Sequence, residues 1–155
     1  MREEGFIKIK EKAEEFYKSI NSIFCPYFNE NVNFNAKGLD HIKFKKWNKP
    51  RTTSDQCMRL RFIEYAPKVI NKSHTLQGYS KKKEFERVKR NTRWDLVLID
   101  VEYYEFISVL DDVRIKVIVK YVPGGSKYFW SIIPFWKTDN INMERLLYNG
   151  KPDED

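Results

Sequence analysis

The fold is decided by residues 103–137, which read YYEFISVLDDVRIKVIVKYVPGGSKYFWSIIPFWK. The stretch contains three runs rich in β-branched and aromatic residues, and turn-forming residues separate them at 110–112 and 123–126. Within each run the side chains alternate with period two, as in strands with one buried face. We therefore predict a three-stranded antiparallel meander.

The middle run assigns its side chains to two faces of the sheet. Ile115 and Val117 point to one face, whereas Arg114, Lys116 and Lys120 point to the other. We expect the first face to form core and the second to carry fixed positive charge. Two interpretations of the charged face remain open: a solvated face kept polar for solubility, or a surface for an anionic partner.

Two helices are predicted before the meander. Apolar residues at alternating steps of three and four predict an amphipathic helix over residues 5–22. Its apolar stripe is expected to pack on the sheet, with an oligomer or partner contact as the alternative. Residues 54–70 predict a second helix, capped at Thr53, that Pro67 kinks or ends near Tyr65.

The remaining segments are predicted from turn residues and polarity. Residues 29–35 predict a short edge strand, and residues 39–47 predict either a short helix or an extended turn. Residues 71–94 are polar and basic, so we expect a mobile connection with at most one short strand. Asn140 is expected to cap a short helix over residues 141–148.

These elements predict an α+β fold, in which N-terminal helices pack on a twisted antiparallel sheet of about four strands. The length of 155 residues fits one domain. We expect this domain to span residues 1–150 and a disordered acidic tail to follow at residues 151–155.

Composition favours an anionic partner, either nucleic acid or an anionic surface, because the net charge is +7 and the pI is near 9.3. Cys25 and Cys57 match neither a CxxC pair nor a metal-ligand spacing, which predicts free thiols in a reducing compartment. No run has the length of a signal-peptide core or a membrane span. We therefore expect a cytoplasmic protein without membrane contact.

Both histidines, His41 and His74, lie in basic segments. Cleavage of RNA through its own 2′-hydroxyl needs a base, an acid and cationic groups, and it needs no metal. His41 is the candidate for proton transfer, with a plain surface histidine as the alternative interpretation. The candidate substrate-binding residues are Lys43, Lys45, Lys46, Arg51, Arg59, Arg61, His74 and Arg90.

Metal-dependent nuclease motifs are not found, since Arg114 stands where the acid-x-lysine motif has its carboxylate. We therefore expect no metal and no other cofactor. Ser131 is a candidate phosphate donor, and alternation puts it on the strand face of Phe129, which looks either at Lys116 or into the core. Exposed rings among basic residues can also stack on single-stranded bases. The candidates are Trp47, Tyr79, Trp94, Tyr103 and Trp136.

Five segments carry a resemblance to a known superfamily. They are residues 32–42 (VNFNAKGLDHI), 59–70, 104–107, 113–118 and 128–133 (YFWSII). Together they resemble the broad superfamily of barnase, EndoU, colicin and RelE-like ribonucleases, known as the BECR fold, and in particular its phage and mobile-element branches. The resemblance spans most of residues 32–137 and marks them as a nuclease-like core.

The resemblance implies one or two helices before a four-stranded antiparallel sheet, and RNA cleavage without a metal. It also implies roles for individual residues. His41 would act as acid or base, Arg114 and Lys116 would contact the phosphate or the transition state, and Ser131 would supply an active-site hydroxyl.

The leading hypothesis is a toxin-like, metal-independent endoribonuclease that leaves a 2′,3′-cyclic phosphate. RNA would lie across the charged sheet face, between segments 37–51 and 72–93, and an antitoxin or immunity protein is the second expected partner. The first alternative is a non-catalytic RNA- or DNA-binding module that uses the same surface. The second is an interaction protein that docks through its N-terminal helix.

Overall fold

The structure is a computed structural model that describes residues 3–46, 49–136 and 152–155. In chain order its elements are α1 (Glu3–Ser19), β1 (Ser22–Cys25), β2 (Glu30–Asn33), α2 (Ala36–Lys43), β3 (Phe44–Lys46), β4 (Lys49–Pro50), α3 (Thr53–Arg61), α4 (Tyr65–Lys72), β5 (Gly78–Arg90), β6 (Arg93–Leu110), β7 (Val113–Tyr121) and β8 (Lys127–Trp136).

The fold is α+β, with one mixed sheet of six strands in the order β1-β2-β8-β7-β6-β5. Neighbouring strands are antiparallel except β2 and β8, which are parallel. The predicted sheet of about four strands corresponds to β5–β8, and β1 and β2 extend it beyond β8. The predicted edge strand is therefore internal as β2, and β1 lies at the edge. A separate two-stranded ribbon is formed by β3 and β4.

The predicted meander is confirmed as β6, β7 and β8. Asp111 and Asp112 join β6 to β7 with φ angles of 51° and 62°. Two consecutive residues with positive φ make the tight hairpin turn whose twist matches that of the strands, and aspartate tolerates this backbone better than most residues. Gly124, with φ of 91°, serves the turn before β8.

Residues 78–90 form the long strand β5, so the predicted mobile connection is wrong. β5 pairs with β6 from Gly78↔Glu105 to Arg90↔Arg93, whereas β7 pairs with β6 only from Glu102 onward. The outer part, residues 82–101, is a two-stranded extension that we call the hairpin arm. One face of the arm is exposed and carries Phe85, Leu96 and Leu98. The opposite face is half-buried and carries Glu84 and Glu86, so apolar residues do not mark the more buried face of this strand pair.

α1 confirms the predicted amphipathic helix, and its stripe packs on the core within the chain through Ala13 and Tyr17. Residues 39–43 belong to α2, which settles that segment as helix. Asn35 caps it by accepting from the Gly38 N–H at 3.2 Å. A Cβ at Gly38 would collide with the main-chain oxygen of Phe129. α2 therefore lies close against β8.

The predicted helix over residues 54–70 is two helices, α3 and α4, with the break before Tyr65 that Pro67 predicts. The cap of α3 is Thr52, one residue earlier than predicted, and its side chain accepts from the Asp55 N–H at 3.1 Å. Cys25 and Cys57 form no disulfide, as predicted, and both are buried.

The second sheet face differs from the exposed basic surface that alternation predicts. Lys116 and Lys120 are only 4% and 6% exposed, and they pair with Glu105 and Glu86. β5 and β6 supply these carboxylates, so the positive charge is largely compensated. A small apolar cluster that includes Ile118 covers part of the same face.

Residues 152–155 are packed against the domain rather than forming a disordered tail. They form a turn, and Asp155 is 1% exposed. The predicted helix at residues 141–148 and its cap Asn140 lie outside the described residues. Among the helices that the structure describes, none has the length and apolar character needed to cross a bilayer.

Candidate functional site

Four side chains surround the main-chain oxygen of Asp155. Ser131 Oγ donates to it at 2.6 Å and Arg51 Nη2 at 3.1 Å, and Arg59 Nη1 donates to it as well. His41 makes a further hydrogen bond to the Asp155 main chain. Because these groups converge on one acceptor, we call His41, Arg51, Arg59 and Ser131 the anion site.

Each residue of the anion site comes from a different part of the chain. His41 lies near the end of α2, Arg51 follows β4, Arg59 lies on α3, and Ser131 lies on β8. α2 and α3 both contact β8, and they contact each other. The site is therefore built where two helices meet one strand, on elements that the core holds rigidly.

Asp55 holds both arginines in place. Its Oδ1 accepts from Arg59 Nε at 2.6 Å, and its Oδ2 lies 3.5 Å from Arg51 Nη1. Arg59 lies one helical turn after Asp55 on α3, whereas Arg51 reaches Asp55 from the segment that precedes the helix. Formal charges within this trio sum to +1, and both guanidiniums are buried. An excess charge removed from water is stabilised by a nearby anion, and here Asp155 supplies negative charge beside Arg51.

Burial and neighbouring charges lower the pKa values of Arg51 and His41. Burial is the larger cause, and Arg59 adds to it, in lowering the pKa of Arg51 to about 10, which still leaves a cation at pH 7. Burial, followed by Arg51, Arg59 and Lys120, holds the pKa of His41 well below its usual value. His41 is therefore neutral at pH 7.

The hydrogen bond between His41 and Arg51 identifies the tautomer of the imidazole. His41 Nε2 lies 3.0 Å from Arg51 Nη2. A guanidinium has donors only, so Nε2 accepts and the ring proton is on Nδ1. Arg51 Nε also donates to the His41 carbonyl oxygen at 3.0 Å. These two bonds orient both side chains toward the same oxygen.

A β-bulge at Trp130 decides which way Ser131 points. Ile118 pairs with Ser131, yet the next residue of β7, Val119, pairs with Phe129. Trp130 is the extra residue, and it reverses the alternation along β8. Phe129 therefore points into the core, and Ser131 points to the second face. The prediction that both residues share a face is wrong for this reason.

An open cleft of about 780 Å³ lies beside the anion site and is lined in part by His41, Lys120, Tyr128 and Trp130. Two polar atoms in its wall, Tyr128 Oη and Trp130 Nε1, are buried without a hydrogen-bond partner among the described residues. Burial, with Glu86 nearby, raises the pKa of Tyr128 far above its usual value. Unpartnered buried polar groups are rare, and they mark this wall as a place for a polar ligand.

Sequence reasoning identified all four residues of the anion site. Lys45 and Lys46 were also predicted, and they line the adjoining cleft. The other two predicted catalytic residues are not brought to the site. Lys116 is buried beside Glu105 at 2.9 Å. Arg114 is four residues along β7 from the register partner of Ser131, or about 13 Å at 3.3 Å per residue.

The remaining predicted binding residues lie elsewhere on the surface. Lys43 pairs with Glu14 of α1. Arg61 is exposed beside α1, His74 is exposed after α4, and Arg90 is at the tip of the hairpin arm. Of these four, Lys43 meets the anion site through its main chain, where its carbonyl oxygen accepts from the Arg51 N–H at 2.9 Å.

The stacking candidates also differ in where they lie. Tyr103 is buried, whereas Tyr79 and Trp94 are exposed. The side chains of Trp47 and Trp136 lie outside the described part of the structure.

Asp55, Tyr128, Trp130 and Lys120 were not identified from the sequence. A signal for Asp55 was present, since Arg51, Asp55 and Arg59 recur at steps of four. No comparable signal marks Tyr128 and Trp130, because their positions depend on the bulge and on strand pairing. Alternation placed Lys120 on the second sheet face, but its position beside Trp130 depends on strand pairing.

Comparisons with protein-family models, with curated proteins and with solved structures find no match. Within residues 3–46, 49–136 and 152–155, no group of three or more His, Cys, Asp or Glu side chains is arranged to hold a metal ion.

Proposed function

We propose that this protein is a metal-independent endoribonuclease, which cleaves RNA by attack of a 2′-hydroxyl on the adjacent phosphate and leaves a 2′,3′-cyclic phosphate. The observation that carries the proposal is the anion site, where two buried guanidiniums, a hydroxyl and a neutral imidazole surround one oxygen atom. A phosphate oxygen in that position would receive the same donors. The resemblance of residues 32–42 and 128–133 to ribonucleases supports the same activity.

Arg51, Arg59 and Ser131 stabilise the pentacovalent phosphate. Negative charge grows on its equatorial oxygens as the 2′-oxygen attacks, and fixed donors in a water-poor site stabilise that charge strongly. Asp55 holds the arginines before substrate arrives, so little reorganisation is needed at the moment of reaction.

His41 accepts the proton of the 2′-hydroxyl. Its lowered pKa keeps the imidazole neutral at pH 7, which is the protonation state of a general base. Nε2 now accepts from Arg51. This lone pair becomes free when Arg51 directs that donor to the substrate phosphate instead.

Tyr128 supplies a proton to the leaving 5′-oxygen. Its hydroxyl is buried in the cleft without a partner among the described residues, and its raised pKa keeps it protonated. One proton moves from the 2′-hydroxyl to His41 and one moves from Tyr128 to the leaving alkoxide. Exchange with solvent then returns both side chains to their starting states.

The alternative is a non-catalytic module that binds RNA or DNA, and one contact favours it. Arg51 Nη2 lies 3.0 Å from His41 Nε2, which occupies the lone pair that a base requires. Such a module would bind nucleic acid with strong salt dependence and leave it intact.

The deciding experiment incubates the purified protein with end-labelled single-stranded RNA and with total RNA, with and without EDTA. His41→Asn is run beside the matched variant His74→Asn. We expect cleavage that persists in EDTA, products with 2′,3′-cyclic phosphate ends, and a rate about 100-fold lower in His41→Asn only. Salt-sensitive binding without products would support the binding module. Loss of cleavage in EDTA would overturn the metal-independent mechanism.

A further inference from the structure

An acidic segment, residues 153–155, lies along a row of cationic side chains that ends at the anion site. The Asp153 carboxylate pairs with Lys82 Nζ at 2.5 Å, and the Glu154 carboxylate lies 2.9 Å from Lys46 Nζ. The next residue supplies the oxygen that the anion site holds. Each acidic residue of the segment therefore meets at least one cationic side chain, and Arg51 contacts both Glu154 and Asp155.

The cations of this row come from separate elements around the cleft. Lys82 belongs to β5, at one edge of the large sheet, whereas Lys45 and Lys46 belong to β3 in the small ribbon. Asp153 and Glu154 line the same cleft. The segment thus links an arm of the sheet, the ribbon and the anion site through cationic partners on all three.

The outer contacts of the segment are of the kind that exchange easily. The side chains of Lys82 and Lys46 are 54% and 56% exposed, so water and salt screen both ion pairs. The buried anion site holds main-chain oxygens of both Glu154 and Asp155, and a phosphate group would present oxygens to the same donors.

We propose that Lys82 and the pair Lys45 and Lys46 form two phosphate subsites that continue from the anion site, and that residues 153–155 occupy this track as an intramolecular competitor of RNA. The inference rests on the proposed function of the anion site. Its ligand is single-stranded RNA, whose regularly spaced phosphates suit a row of lysines beside a buried pair of arginines. The carboxylates of the segment take the places of those phosphates.

Competition within one chain is effective because the segment acts at a local concentration on the order of millimolar. The apparent affinity for RNA is reduced by the fraction of molecules whose track is free. A segment that is bound in about nine molecules of ten weakens RNA binding about tenfold.

The test measures the anisotropy of a fluorescent 2′-O-methyl RNA, which lacks the nucleophile and stays intact. The full-length double variant Asp153→Asn/Glu154→Gln should bind it about tenfold more tightly than the unchanged protein. The matched control Glu14→Gln/Glu30→Gln removes two carboxylates outside the track and changes the net charge equally. Its affinity should change by less than about twofold.

The subsites themselves are tested by Lys82→Gln in the background of that double variant. RNA binding should weaken, and the slope of log affinity against log salt should fall by about one phosphate contact. Lys8→Gln, on the exposed surface of α1, should leave that slope unchanged.

Each outcome separates this inference from the proposed function. If RNA binding tightens equally in the double variant and in its control, the effect is due to net charge and the proposed competitor is overturned. Weaker RNA binding by the double variant would also overturn the competitor. The ribonuclease assay would stand in both cases. RNA that competes with residues 153–155 but is never cleaved would overturn the proposed reaction and leave the phosphate track supported. Absence of RNA binding by every variant would overturn both the reaction and the track.

Discussion

The His41 imidazole lies nearly parallel to the Trp130 indole, with ring centroids 4.0 Å apart and planes inclined by 17°. The Lys120 ammonium lies 4.2 Å from the centroid of the Trp130 ring, where the negative face of the indole attracts a cation. Stacking excludes water from His41, and the nearby ammonium opposes its protonation. The bulged residue of β8 therefore contributes to the burial that, together with Arg51 and Arg59, keeps the proposed base neutral.

The buried neutral His41 should make the protein less stable in acid. Its folded-state pKa lies well below 6.5, so between these values the unfolded chain binds a proton that the folded chain does not. The free energy of unfolding then falls as pH drops below about 6.5, by at most about 1.4 kcal/mol per pH unit from this group. Urea titrations between pH 5 and 7 should show this slope reduced in His41→Asn. The variant of the exposed His74, His74→Asn, should retain it, and an unchanged slope in His41→Asn would contradict a neutral His41.

Arg59→Gln should lower kcat/KM for RNA by about 100-fold to 1,000-fold, because it removes one of two guanidiniums from the developing phosphorane. Arg61→Gln is the matched control, since Arg61 lies two residues further along α3 and is exposed outside the site. Its kcat/KM should change less than about twofold. Circular dichroism at the assay temperature checks that each variant is folded. Equal losses in both variants would argue for general electrostatics rather than a specific site.

Tyr128→Phe should separate activity from stability. The lost hydroxyl has no partner among the described residues, so folding should be unaffected or strengthened by about 1 kcal/mol. kcat should fall about 100-fold because the leaving oxygen loses its proton donor. Tyr17→Phe is the opposite case, since Tyr17 Oη donates to the Asn35 carbonyl oxygen at 2.6 Å. Tyr17→Phe should lose about 1 kcal/mol of folding stability. A kcat that stays normal in Tyr128→Phe would remove Tyr128 from the mechanism.

Among the stacking candidates whose side chains the structure describes, Trp94 is the most accessible, and it is 62% exposed on the hairpin arm. Trp94→Ala should weaken binding of single-stranded RNA about tenfold, because one base-aromatic stack contributes about 1–3 kcal/mol. Leu96 lies two residues further along the same strand face and is 65% exposed. Leu96→Ala should leave RNA binding unchanged, since an aliphatic side chain has no ring to stack on. Equal weakening in both would indicate apolar contact instead of stacking.

The pattern of apolar, polar and turn residues was sufficient to predict the elements whose conformation depends on neighbouring residues in the chain. The meander follows from period-two alternation between turn residues, α1 follows from its apolar stripe, and the break before Tyr65 follows from Pro67. β5 escaped prediction because the half-buried face of the hairpin arm carries Glu84 and Glu86, whereas the apolar Phe85 lies on the exposed face. Its strand conformation comes from pairing with β6 rather than from a buried stripe.

The sequence by itself determined which residues have the chemistry for the site, because charge, hydroxyl and imidazole groups are properties of single residues. It could not determine where Ser131 points, since one extra residue in β8 reverses the alternation and only the pairing with β7 reveals the bulge. Nor could it determine that Lys116 is compensated by Glu105, or that residues 153–155 reach the anion site. Those facts depend on contacts between residues distant in the chain, and tertiary packing decides them.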